Sequence, residues 1–220
     1  TPLTAAEAAL PQDMPQLALS RTVFDQTVRT LPSFSGHGLD LTRFEHIRSL
    51  EQYCPAGHDA FYGLTCLILA GGASVSATLQ RMLCAARVVA FAKPHGGVRP
   101  LAVGSAWRRA MARALATQRR AVWAELLQPE QMGVGVRGGT EMMVHGTRGL
   151  LADHPDWVVV STDCRNAYNS VSRGAMLRQL FVQDPAVARF AMFFYGQDAE
   201  LLYGADDGIE TVFSRTGSQQ

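Results

Sequence analysis

Lysine is almost missing from this sequence: of twenty basic side chains only Lys93 is not arginine. Cysteine is sparse, at 54, 66, 84 and 164, with no close pair. That excludes a disulfide-stapled scaffold and fits a reducing compartment. Cys54 and His58, flanked by His46 and Cys66, bring zinc to mind, but their spacing matches no established ligand pattern and lone cysteines commonly pack as small core residues. Long apolar runs are also lacking. The longest, from Ala60 to Ala70, is too short to cross a bilayer. Repeats and low-complexity linkers are absent, which excludes solenoids and tethers. The chain opens on Thr1 and closes on Gln219-Gln220, so both ends read as cuts through a longer protein.

The most informative absence is local. Residues 60–124 contain no acid at all, against eight arginines and Lys93. The flanking segments are acidic, with seven acids against four arginines in 1–59 and twelve against seven in 125–220, so the net charge of +1 hides a segregated pattern. A basic stretch of this kind points to a polyanionic partner, most simply nucleic acid; the plain alternative is a solvated helix face. With 47 % apolar and 18 % charged residues, the chain has the composition of an ordered globular protein.

What is present reads as α+β. Residues 1–86 form a helical segment. Thr4-Ala5-Ala6-Glu7 and Thr42-Arg43-Phe44-Glu45 fit capping boxes, and helical stripes run through Phe24, Val28 and Leu31 and through Leu79, Met82, Leu83 and Ala86. Gly71-Gly72 separates two such segments. The period then changes: 88–93 and 98–103 are strand-like and flank Pro94-His95-Gly96-Gly97, which predicts a hairpin. A helix follows from about Ser105 with an apolar stripe of Trp107, Ala110, Met111, Ala114 and Leu115. Arg108, Arg109, Arg113, Arg119 and Arg120 fall on its other faces. A glycine-rich loop over 131–139 leads to a helix reaching about Leu151. Trp157–Thr162 predicts a strand ending at Asp163. A turn through Asn166 precedes a helix capped near Ser172 with Met176, Leu177, Leu180 and Phe181 inward. A last helix starts at Asp184-Pro185, with Val187, Phe190, Ala191 and Phe194 inward.

A carboxylate at the end of a buried strand needs a cationic partner, and a divalent metal is a common one. Taken alone, Asp163 reads equally as a helix cap or an ion-pair member. Its surroundings add to it. Asp163-Cys164-Arg165-Asn166-Ala167-Tyr168-Asn169 resembles the first catalytic motif of reverse transcriptases, an aspartate followed five residues later by an aromatic. Lys93–Gly104 resembles the fingers hairpin of the same enzymes, Leu127–Gly133 the block that follows, and Ser214-Arg215-Thr216-Gly217-Ser218-Gln219-Gln220 the opening of the next motif. The blocks keep the family's order over residues 20–220, with the best fit to reverse transcriptases of non-LTR retrotransposons.

The resemblance implies the fingers and the beginning of the palm of a right-hand polymerase, truncated: a helical part at 1–86, fingers at 87–156 and the start of the palm at 157–220. It implies RNA-directed DNA synthesis on an RNA template from a DNA primer and deoxynucleoside triphosphates, with two Mg²⁺ ions and a nuclear setting. Asp163 is expected to bind both ions and Cys164 to lend one its carbonyl. Tyr168 is expected beneath the sugar, excluding a 2′-hydroxyl, although most relatives carry phenylalanine there. Lys93 and Arg99 are expected on the triphosphate, Gln220 near the sugar, and the five arginines of the basic helix on nucleic acid. Tyr203-Gly204-Ala205-Asp206-Asp207 mimics the family's paired aspartates, but it precedes the glycine–glutamine block instead of following it. Asp206-Asp207-Gly208 reads instead as a turn between two short strands. The second set of catalytic carboxylates is therefore missing, and the chain alone is expected to be inactive. Two alternatives stand beside the polymerase: a remnant that only binds nucleic acid, and another right-hand enzyme such as an intron maturase or an RNA-templated RNA polymerase.

Overall fold

A computed structural model describes residues 14–94, 96–164, 166–205 and 207–218. The chain divides into two compact units, Thr1–Ala114 with Asn166–Gln220, and Leu115–Arg165. Among the described residues there are nine helices and one open, mixed, four-stranded sheet, an α+β architecture.

The first unit begins with helix α1 (Arg21–Arg29), capped by the Ser20 hydroxyl, which accepts from Val23 N–H. Phe24 and Val28 point inward from it, as the stripe predicts. Helix α2 (Phe44–Tyr53) departs from the expected capping box. Thr42 spends its N–H on Asp40 Oδ1 at 3.1 Å, and the first helical donor, Phe44 N–H, goes to Ser35 Oγ at 3.1 Å. Glu45 accepts from Phe34 N–H. The expected Thr42–Glu45 pairing is thus replaced by bonds reaching back along the chain and by a local one, Arg43 N–H to His46 Nδ1 at 3.3 Å. The box at Thr4 and Glu7 lies outside the described residues.

Helix α3 (Pro55–Leu69) starts on proline and buries His58, Phe61, Thr65, Ile68 and Leu69. Phe24 sits among the rings of His58, Phe61 and Tyr62, with centroids 5.2–5.4 Å away. Gly71 and Gly72 follow with φ of 110° and 69°, a region that disfavours side chains. A Cβ on Gly72 would also overlap the Phe193 ring. Helix α4 (Ala77–Cys84), capped by Ser76, buries Leu83 but leaves Met82 exposed, so the stripe expected there is only partly inward.

The predicted hairpin is present as β1 (Ala86–Ala92) and β2 (Val98–Gly104), paired antiparallel from Ala86↔Gly104 to Ala92↔Val98. Pro100 is tolerated because β2 is an edge strand. Helix α5 (Ala106–Leu127) gives its opening turns to this unit and buries Ala106, Ala110, Met111 and Ala114.

After the second unit come α7 (Ala167–Ser170), α8 (Arg173–Gln183) and α9 (Pro185–Tyr195). Ser172 caps α8, as expected, but of the inward set expected there only Leu177 is fully buried, with Met176, Leu180 and Phe181 half-buried; on α9 Val187, Phe190 and Phe194 are buried and Ala191 is half-buried. Helix α9 packs on α8, α3 and α4, which makes it the centre of the core. Strands β3 (Ala199–Ala205) and β4 (Gly208–Ser214) form the second hairpin, with Ala205↔Gly208 closing it around Asp207. This agrees with the turn read at Asp207-Gly208; Asp206 lies outside the described residues. A short parallel seam, Ala86↔Leu201 and Arg87↔Leu202, joins the hairpins in the order β2-β1-β3-β4.

The second unit holds the rest of α5, the glycine-rich loop and α6 (Gly139–Asp153). The loop approaches α5 closely: a Cβ on Gly135 would lie 2.8 Å from the Arg120 carbonyl oxygen. The strand expected over Trp157–Thr162 is not formed. Its side chains are exposed, Val158 by 84 %, and Trp157 stacks on His154 with centroids 4.2 Å apart. A strand needs a neighbour for its N–H and C=O groups. This run has none among the described residues.

Candidate functional site

Helix α7 has only four residues, too short to satisfy its own carbonyls. They are met from the segment after β4. Ser218 N–H donates to the Tyr168 carbonyl and Gly217 N–H to the Val171 carbonyl, each at 2.8 Å. The Thr216 hydroxyl donates to the Asn169 carbonyl at 3.1 Å. Gly217 is required here: φ is 78°, and a Cβ would lie 2.6 Å from the Tyr168 oxygen. Asn166 opens the turn at φ 56°, a left-handed conformation to which asparagine is well suited. The Tyr168 backbone is thus pinned while its ring stays 64 % exposed. Two blocks far apart in sequence, the one around Tyr168 and the one opening at Ser214, meet here. Gln220 lies outside the described residues.

Lys93 and Arg99 are both exposed on the first hairpin. Arg99 faces Phe91 across the strands, and Lys93 begins the turn, its N–H bonded to the Gly97 carbonyl at 3.0 Å.

The basic helix is less uniform than its sequence. Arg108, expected on a solvent face, is 6 % exposed. Its guanidinium lies 4.5 Å from the Phe194 ring centre and 4.7 Å from that of Tyr195, and burial pushes its pKa down. The aromatic surface of α9 takes it as a packing group, because a flat, weakly hydrated guanidinium stacks well on rings. Arg109 is half-buried, over Phe44 at 4.7 Å and donating to the Gly36 carbonyl; burial lowers its pKa too. Arg113 and Arg120 are exposed and Arg119 is half-buried.

Asp163 and Cys164 belong to the second unit, in exposed backbone that is neither helix nor strand. Together they offer one carboxylate and one carbonyl. Among the described residues no three His, Cys, Asp or Glu side chains gather into a metal-binding group. Magnesium asks for near-octahedral oxygen ligation. These residues alone do not make such a site. His58 is engaged otherwise, its Nε2 bonded to Asp25 Oδ1 at 2.7 Å.

One residue escaped the sequence. Arg173, in the first turn of α8, is 6 % exposed and donates to the Gly217 carbonyl at 2.9 Å, the Ser214 carbonyl at 2.9 Å, Ser214 Oγ at 2.8 Å and the Gln197 carbonyl at 3.1 Å. Burial, then the charge of Arg108, pushes its pKa down. An arginine one residue after a cap reads as a solvated side chain. The only hint was the acid-poor helix around it, which offers no local partner.

No helix among the described residues is long and apolar enough to cross a membrane. No family model matches the chain, and no curated protein matches it significantly.

Proposed function

We propose that this chain is the fingers and the beginning of the palm of an RNA-directed DNA polymerase of the non-LTR retrotransposon type. In this reading Tyr168 screens the sugar of the incoming deoxynucleotide. Lys93 and Arg99 meet its phosphates, and the exposed arginines of α5 hold template and primer backbones by charge-assisted bonds. The observation that carries the reading is the bonding of residues 216–218 to the α7 turn at Tyr168. Two blocks that resemble separate motifs of one nucleotide site share one small structure.

Bound magnesium would polarise the reacting phosphate and activate the primer hydroxyl. In this reading Asp163 would hold it through its carboxylate and Cys164 through its carbonyl, and a second set of carboxylates would be needed to complete the site. The test uses the full-length protein on a primed RNA template. Asp163→Asn is expected to abolish extension, and Tyr168→Ala to admit ribonucleotides more readily, read as a ratio of kcat/KM values. Extension by Asp163→Asn near the wild-type rate, or unaltered sugar selectivity in Tyr168→Ala, overturns the assignment of that residue.

A further inference from the structure

We propose that Arg173 is a positioning residue for the sugar gate: it clamps the segment after β4 so that residues 216–218 hold the Tyr168 backbone. The role rests on the reading of Tyr168 as the gate. The geometry forms a closed chain. Arg173 leaves the first turn of α8 and reaches Ser214, Gly217 and Gln197 through four donated bonds. Residues 216–218 then bond three carbonyls of the α7 turn, that of Tyr168 among them. Ser172, beside Arg173, caps α8, so the base of the clamp is fixed to a helix end.

The side chain suits the task. A guanidinium presents several N–H groups in a rigid plane and can meet several acceptors at once, which an ammonium on a flexible stem cannot. It is also held from behind, 5.6 Å from the Tyr195 ring centre. Because it is buried, its bonds are not traded for water. The ring of Tyr168 is largely exposed, whereas its backbone carbonyl is bonded. The height of the ring above the turn is therefore set through its backbone, and the backbone is set by the clamp.

A gate that rejects a hydroxyl by steric overlap must be held to a fraction of an ångström. Loosening the clamp should therefore lower discrimination more than it lowers deoxynucleotide turnover. Three variants test this. Arg173→Ala removes the clamp. Arg173→Lys keeps the charge without the planar fork. Gly217→Ala leaves Arg173 in place but drives a Cβ into the Tyr168 carbonyl, and so guards against simple misfolding of Arg173→Ala.

Two readouts are taken. On the 220-residue chain, tryptic cleavage after the exposed Arg215 reports whether the segment is held. It is expected to quicken in Arg173→Ala and Gly217→Ala at a temperature where circular dichroism shows the helices intact. In the full-length protein, the deoxy-to-ribo ratio of kcat/KM is expected to fall about tenfold in both, with Arg173→Lys between them and the wild type. Polymerisation with unchanged selectivity in Arg173→Ala and Gly217→Ala overturns the positioning role and leaves the polymerase reading standing. No polymerisation by the wild-type protein overturns both. Unchanged cleavage after Arg215 overturns the clamp whatever the polymerase does.

Discussion

The two units handle apolar surface in opposite ways. In the first, Phe24, Ile47, Ile68, Leu69, Met111, Leu177 and Phe194 are all buried to within 2 % of full enclosure. In the second, Leu115 is the only large apolar side chain in the buried class among the described residues, while Met142, Met143, Leu150, Trp157, Val158, Val159 and Val160 are exposed. Composition does not separate them, since valine, leucine and methionine abound in both. Connectivity does. The first unit brings helices from both ends of its sequence onto α9, so each stripe meets another. The second has one helix, a loop, half of another helix and an extended run. Helices form there because their backbone bonds are local, whereas the run at Trp157–Thr162, whose bonds would have to be tertiary, forms no strand.

The sharpest test of that contrast is a pair of truncations. Phe194→Ala removes a ring packed on Phe190 and Phe193, with centroids 4.9 Å away in each case, and should cost about 3–5 kcal/mol in denaturant unfolding. Val159→Ala, 59 % exposed, should stay within about 0.5 kcal/mol. Comparable losses would break the distinction between the units.

A smaller effect should separate the arginines of α5. Replacing exposed Arg113, in the first unit, or exposed Arg120, in the second, by glutamine should leave stability nearly unchanged. Each should reduce the slope of log affinity for primed template against log salt by up to about 0.9. Arg108→Gln should do the reverse, lowering thermal stability with little change of slope, because its charge is spent on the rings of Phe194 and Tyr195. A slope that responds to Arg108 as strongly as to Arg113 would mean that the buried guanidinium is not the packing group it looks like.

The smallest effect is a pH dependence confined to the first unit. Burial tends to raise the carboxyl pKa of Asp25, but bonds from His58 and Arg21 outweigh it and the net shift is downward. A carboxyl lowered on folding contributes stability that is present above its ordinary range and lost as pH falls through the folded value. Asp25→Asn should therefore flatten the acid limb of a stability–pH curve and leave the limb above neutrality largely alone. An unaltered acid limb, measured by thermal melts between pH 3 and pH 7 (roughly the window in which carboxyls titrate), would remove Asp25 from the account.

Both hairpins were legible because the signals that make them are local: Pro94 to Gly97 and Asp207-Gly208 are turn chemistry, and the flanking runs alternate or branch. Helices α1, α8 and α9 were legible from their stripes and caps. What failed was tertiary. The Thr42–Glu45 box lost to Ser35 and Phe34, residues folded back from earlier in the chain. Arg108 was read outward because helical spacing cannot show that aromatic rings wait beside it. Around the candidate site the residue names Asp163, Tyr168, Lys93 and Arg99 came from the sequence, but the bonding of 216–218 to α7 did not. It is made of backbone groups, which every residue carries, and only Gly217 leaves a trace of it. Arg173 was invisible for the same reason, since its partners are mostly carbonyls.

The seam between β1 and β3 has a consequence for the order of assembly. Each hairpin pairs near neighbours and can close within microseconds of a chain's collapse. The seam joins Ala86 and Arg87 to Leu201 and Leu202, from the two sequence segments that make up the unit, with residues 115–165 between them along the chain. The entropy of closing that span is offset by these two pairs together with the packing of α9 on α3 and α4 and the Arg81–Glu200 ion pair. The two segments of the unit must find each other across that span, so the rate of folding should be set by their encounter, helices and ribbons together, and not by the formation of either hairpin.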